Sequence, residues 1–77
     1  MMIVKTESGS IYAFCEKDGN LYLLKGAKEY LVTKMTLGIG ISLEVSGREL
    51  NSMTYEVGEN EVTFTSTPVV DITFQTT

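Results

Sequence analysis

Leu37-Gly38-Ile39-Gly40-Ile41-Ser42-Leu43-Glu44-Val45 carries the clearest structural signal in the chain. Its apolar side chains fall on every second position, and alternation of this kind marks a half-buried β-strand, whose side chains point to opposite faces in turn. A helix would need spacings of three and four. The other face holds Gly38, Gly40, Ser42 and Glu44 and is nearly bare. Two glycines on one strand face indicate either a sharp bend at a barrel corner or a backbone that a ligand or a second chain approaches closely.

The same period extends outward from this segment. Val70, Ile72 and Phe74 alternate with Asp71, Thr73 and Gln75, while Met53, Tyr55 and Val57 flank Thr54 and Glu56, as expected of half-buried antiparallel strands. Turn residues fall between the runs. Ser8-Gly9-Ser10 separates 2–6 from 11–15, and Asp18-Gly19-Asn20 separates 11–15 from 21–24. Ser46-Gly47-Arg48 follows the 37–45 strand, and Gly58-Glu59-Asn60 joins 50–57 to 61–66. Residues 27–35 begin Ala-Lys-Glu and read as helix or strand, with Tyr30, Val32 and Thr33 favouring strand. Pro68 opens the last strand or places it on an edge, since it has no N–H to donate.

About seven short strands follow from this reading. They form a single all-β domain over 1–77, a small antiparallel meander closing into a partly open barrel or tight sandwich. The expected core is Ile11, Leu23, Ile39, Ile41, Leu43, Val62, Phe64, Ile72 and Phe74. Only Thr76-Thr77 reads as a tail.

Composition removes whole classes of chemistry. A chain of 77 residues buries only about 60% of its unfolded surface, too little to enclose a large catalytic cleft. It has no His, no Trp and a single cysteine, Cys15. Ser-His-Asp and Cys-His nucleophiles, Cys/His zinc sites and an intrachain disulfide are therefore excluded. Cys15 reads as a small buried hydrophobe. Glu59 and Glu61 around Asn60 fall short of the oxygen set that calcium or magnesium requires. A non-enzymatic protein without a metal or cofactor is expected. No apolar run approaches the roughly 20 residues of a membrane span, and Met1-Met2-Ile3-Val4-Lys5 lacks the pattern of a secretory signal. These features point away from a membrane and toward the cytoplasm.

The net charge of -4 is unevenly laid out. Residues 1–48 hold all six basic groups and five acidic ones, whereas 49–77 hold Glu49, Glu56, Glu59, Glu61 and Asp71 and no base. Duplex nucleic acid is thus an unfavourable partner, because phosphate neutralisation requires a basic stripe. A compact anion held by local donors stays open. Arg48 is the only guanidinium, the one side chain able to grip a phosphate bidentately. Ser8 and Ser10 flank Gly9 in a loop of the kind whose backbone amides cradle anions, and Thr65, Ser66 and Thr67 present a row of hydroxyls. Tyr12 offers a ring for stacking, with Tyr22 expected across the Asp18-Gly19 hairpin.

Thr6-Glu7-Ser8-Gly9-Ser10-Ile11-Tyr12, the strand from Gly38 to Val45, and Thr65-Ser66-Thr67-Pro68-Val69-Val70-Asp71-Ile72 together resemble a family of small, mostly uncharacterised bacteriophage β-proteins. The likeness lies in a T-x-S-G-S-x-Y opening and a T-S-x-V-x-x-I close, which this chain meets with two residues, Thr67 and Pro68, between Ser66 and Val69. It touches both ends and most of the chain through short motifs, and the chain departs from the group in having no Trp and a single Arg. The resemblance implies a non-virion protein of the host cytoplasm, of a class that includes counter-defence proteins that oligomerise and sequester nucleotide-derived immune signals.

Two functional expectations follow. In the first the protein is a homo-oligomer that holds a small anionic, nucleotide-like ligand with Arg48, Ser8, Ser10, Thr65, Ser66, Thr67 and Tyr12. In the second it is a protein-interaction module that inhibits a host protein or serves as a structural accessory, using an acidic face or a sheet edge. The first needs Arg48 beside the hydroxyls, and the second does not.

Overall fold

The computed structural model describes residues 1–75, and within them six strands follow in order: β1 (Met2–Thr6), β2 (Ile11–Lys17), β3 (Asn20–Lys25), β4 (Lys28–Thr36), β5 (Ser42–Leu50) and β6 (Val57–Phe74). Thr76-Thr77, read as a tail, lies outside the described residues. Each strand pairs antiparallel with the next and β6 returns to β1, so the expected all-β meander is realised as a closed barrel. Of the segment 27–35, all but Ala27 is strand, as its β-branched and aromatic residues favoured, and β4 continues to Thr36.

Two-residue turns set the register of the first half. Asp18 and Gly19 connect the paired residues Lys17 and Asn20 with φ of 52° and 81°, the two positive values that a type I′ turn requires. Gly26, at φ 61°, opens the Gly26-Ala27 turn between Lys25 and Lys28 in the manner of a type II′ turn. These registers align Met2, Phe14, Leu23 and Tyr30 across four neighbouring strands as one inward layer. Val4, Phe14, Leu23, Leu43, Val45 and Val69 are fully buried, with Tyr12 and Tyr30 beside them. Burying each of the large ones contributes roughly 1.5–3 kcal/mol.

Closure depends on β6, whose 18 residues serve two partners in succession. Residues 57–68 pair with β5 and residues 69–74 with β1. The handover is at Val69. Its N–H donates to Ile41 O and its carbonyl accepts from Gly40 N, both at 2.8 Å, while Pro68 O accepts from Glu7 N at 2.9 Å. Pro68, with no N–H to leave unsatisfied, therefore sits inside β6 where the partner changes, and does not open a separate strand.

Several expectations are corrected by this closure. The 37–45 segment is not one strand: β5 begins only at Ser42, and Gly40 at φ 87° turns the chain before it. Ile39, 62% exposed, makes a single bridge to Val69, and Ile41 also lies on the surface. Ser46-Gly47-Arg48 is not a turn but the middle of β5. A Cβ on Gly47 would lie 2.9 Å from Leu31 O and 3.2 Å from Tyr30 Cβ, so the glycine allows β4 to approach closely. Gly58-Glu59-Asn60 is likewise inside β6, absorbed as a bulge between the pairs Arg48–Glu61 and Leu50–Val57. Residues 51–56, expected within a strand, form the β5–β6 loop.

Of the expected core, Leu23 and Leu43 are buried, and Phe64 and Ile72 pack half-buried against it. Ile11, Ile39, Ile41, Val62 and Phe74 are outside. In β2 both faces are apolar, and the larger pair, Tyr12 and Phe14, occupies the interior, which leaves Ile11 outward. Cys15 faces out, half-buried opposite Tyr22. Tyr12 is therefore not the cross-strand neighbour of Tyr22.

The radius of gyration, 12.3 Å, exceeds the about 11.5 Å typical of this length. β5 stays paired to β4 as far as Glu49, opposite Tyr30, so only the end of the β5–β6 hairpin, from Leu50 through the loop 51–56 to the start of β6, extends past β4 as a short arm.

Candidate functional site

Of the serine and threonine side chains proposed as ligand donors, Ser8, Ser10, Ser66 and Thr67 converge at the point where β6 changes partner, and Thr65 does not join them. Ser8 lies at the centre: its Oγ is 3.3 Å from Thr6 Oγ1, 3.3 Å from Ser10 Oγ and accepts from Thr67 Oγ1 at 3.1 Å. Its backbone N–H donates to Thr67 Oγ1 at 3.1 Å. Ser66 is adjacent but occupied, since its Oγ accepts from Leu43 N at 3.0 Å and donates to Thr67 O at 2.7 Å. At this bulge, where Ser42 faces Pro68 and Glu44 faces Thr65, the Ser66 hydroxyl satisfies an amide that the ladder passes over. These hydroxyls spend their hydrogen bonds on one another and pin the β1–β2 loop to β6. Their primary work is closure of the barrel.

Arg48 is not with them. It is exposed on β5 opposite Leu31 and Glu61, six positions from Ser42, so about 20 Å of strand separates it from the Pro68 region. Tyr12 is buried, and Lys25 Nζ covers its ring at 4.2 Å from the centroid, which leaves no open face for a base. Thr65 lies opposite Glu44 on β6. The structure thus gathers Ser8, Ser10, Ser66 and Thr67 with Thr6, which the sequence reading had not included, and leaves Thr65, Arg48 and Tyr12 outside the group.

A different group of residues is assembled at the end of the arm. Asn51 caps a short turn: its Oδ1 accepts from Met53 N at 2.9 Å and Thr54 N at 3.2 Å. Tyr55 N donates to Asn51 O at 2.8 Å, and Asn51 N donates to Glu56 O at 2.9 Å, closing the loop on itself. The loop is thereby held in one shape although its side chains touch little. Tyr55 adopts φ 58°, a left-handed conformation that a bulky residue rarely takes, and it points outward at 73% exposure beside Met53 at 89%.

Two clefts flank this loop. One, of about 390 Å³, is lined by the carboxylate-bearing Glu49, Glu56 and Glu59 together with Leu50 and Val62. The other, of about 410 Å³, lies between the loop and the β3–β4 turn, with Tyr55, Leu50 and Lys28 in its wall. Lys28 Nζ meets Glu49 Oε1 at 3.5 Å, and Thr33 Oγ1 donates to Glu61 Oε2 at 2.6 Å. Glu56 and Glu59 thus add negative charge beside the two apolar side chains. Among the described residues no group of three or more acidic or cysteine side chains is arranged to hold a metal ion.

The sequence reading placed Met53 and Tyr55 on a half-buried strand. The signal for the actual arrangement was present in Asn51-Ser52-Met53-Thr54, where an Asn can cap the N–H groups two and three residues ahead. No helix among the described residues is long and apolar enough to cross a membrane. No protein-family model matches the chain, and neither a curated protein nor a solved structure matches it.

Proposed function

We propose that the protein is a non-catalytic interaction module that docks the tip of its β5–β6 arm onto a protein partner carrying an apolar pocket edged by Lys or Arg. The observation that carries this reading is the loop 51–56, which is internally hydrogen-bonded yet displays Met53 and Tyr55 to solvent. Met and Tyr are enriched at protein interfaces, and a rigid loop loses little entropy on docking. The backbone strain at Tyr55 points the same way, because an unfavourable conformation at an exposed site persists where function uses it. Glu56 and Glu59 select for a basic rim and speed encounter with one.

The alternative, a homo-oligomer sequestering a nucleotide-like anion, would need Arg48 beside the hydroxyl cluster. The separation of the two moves weight to the protein-partner reading. In line with the bacteriophage resemblance, the partner is taken to be a bacterial cytoplasmic protein whose action is blocked.

The test is a photo-crosslinker, p-benzoylphenylalanine, incorporated in place of Tyr55 and irradiated in bacterial cells. A discrete adduct is expected that Met53→Asp abolishes and that the same probe at Lys5, on the barrel wall, does not form. No adduct from position 55, or equal adducts from position 5, would overturn the reading.

A further inference from the structure

The long β6 strand leaves part of its backbone unpaired. Along 57–66 its ladder partner on one side is β5, while β1 joins the opposite side only from Val69 onward. Among the described residues no strand pairs with that second edge. A free edge of ten residues is a template for another strand. Natural edges are usually blunted by Lys, Pro or charge, but here the charges, Glu59 and Glu61, stand only at the outer end. Val62-Thr63-Phe64-Thr65-Ser66 is uncharged and rich in residues that favour strands.

We infer that this edge pairs antiparallel with the same edge of a second copy, about a two-fold axis at Thr63. Symmetric pairing of a strand with itself must be centred on a residue, because the amides facing the free edge recur at every second position. Only some centres suit the charges. At Glu61 the axis would set two carboxylates directly opposite, and at Asn60 it would set Glu59 against Glu61 of the other copy, both destabilising. Centred on Thr63, each Glu61 faces a Thr65 and each Asn60 a Ser66.

The same register places Val62 of each copy opposite Phe64 of the other. Val62 is 38% exposed and Phe64 half-buried, with its ring 5.1 Å from that of Tyr30 in an edge-on contact. The pairing therefore extends the barrel's own apolar face across the axis and covers the apolar surface left at its margin. Aliphatic–aromatic pairs of this kind stabilise adjacent strands. Asn60 to Ser66 is the paired stretch, so the loop 51–56 lies outside it and stays open to a partner.

Sedimentation equilibrium tests the inference. The protein is expected to pass from monomer to dimer as concentration rises, and Val62→Lys, with circular dichroism unchanged, to weaken the dimer by roughly tenfold or more. In a Cys15→Ser background Thr63→Cys should form a disulfide-linked dimer on mild oxidation, whereas Lys5→Cys should not. The crosslink decides the matter should Val62→Lys fail to fold. Met53→Asp should leave dimerisation unaltered, which separates this edge from the tip. A protein that stays monomeric to about 0.5 mM, a dimer that survives Val62→Lys, or a Thr63→Cys variant that does not crosslink would overturn it.

Discussion

Gly47→Ala separates two readings of the same glycine. Were Gly47 a turn residue, an added methyl would point to open solvent and the substitution would be neutral. In the structure it is mid-strand, and the new Cβ would meet Leu31 O at 2.9 Å and Tyr30 Cβ at 3.2 Å. Neither atom can rotate away, so β4 and β5 must separate by about half an ångström beside buried Tyr30. Overpacking of this kind costs about 1–3 kcal/mol, offset by about 0.4–1 kcal/mol from the reduced freedom of the unfolded chain. The net loss is about 1–2 kcal/mol, against a total of roughly 4–12 kcal/mol for a chain of this length. At about 4–8 °C per kcal/mol, Tm should fall by about 5–15 °C in a thermal melt followed by circular dichroism. Gly38→Ala is the control, because its Cβ would meet only the exposed, movable Ile41 side chain, Cδ1 at 3.2 Å and Cγ1 at 3.4 Å. A Gly47→Ala variant melting at or above the parent, or one no worse than Gly38→Ala, would refute the close approach of the two backbones.

The inside and outside of β2 can be told apart by truncation: Phe14→Ala should cost about 3–5 kcal/mol and leave the chain close to unfolding, while Ile11→Ala, at an exposed position, should cost under about 1 kcal/mol in urea titrations. Asp18→Gly should leave stability nearly unchanged and Asp18→Val should lower it by about 1–2 kcal/mol, since only the first accepts φ 52° freely; equal melts for the two would contradict the type I′ turn. Asn51→Ala removes the acceptor for two amides and should cost about 1 kcal/mol. Hydrogen exchange should then show lost protection at Met53 and Thr54, and unchanged exchange would mean that the arm loop is not held by its cap.

The all-β class was legible in the residues, because alternation over most of the chain leaves no helical face and only 27–35 stood between helix and strand, and so was the β2–β3 hairpin, because Asp18-Gly19 suits the two positive φ values of the tightest hairpin turn. The sequence also made the hydroxyls of Ser8, Ser10, Ser66 and Thr67 visible as a candidate cluster. It could not say which apolar face goes inside where both faces are apolar, as in Ile11 to Cys15. Nor could it tell a glycine that turns the chain from one that admits a neighbouring backbone, as at Gly47, since the local signal is the same. Closure of the barrel settles both. The interior is filled by the residues that the register aligns, from Met2 and Phe14 to Leu23 and Tyr30, so Ile39 and Ile41 are left outside however regular their spacing. Closure also requires β6 to leave β5 and join β1, which draws the hydroxyls together as a pin and leaves Arg48 on the barrel wall, six positions along β5 from Ser42. Which side chains meet is a property of pairing across the whole chain, and no local pattern encodes it.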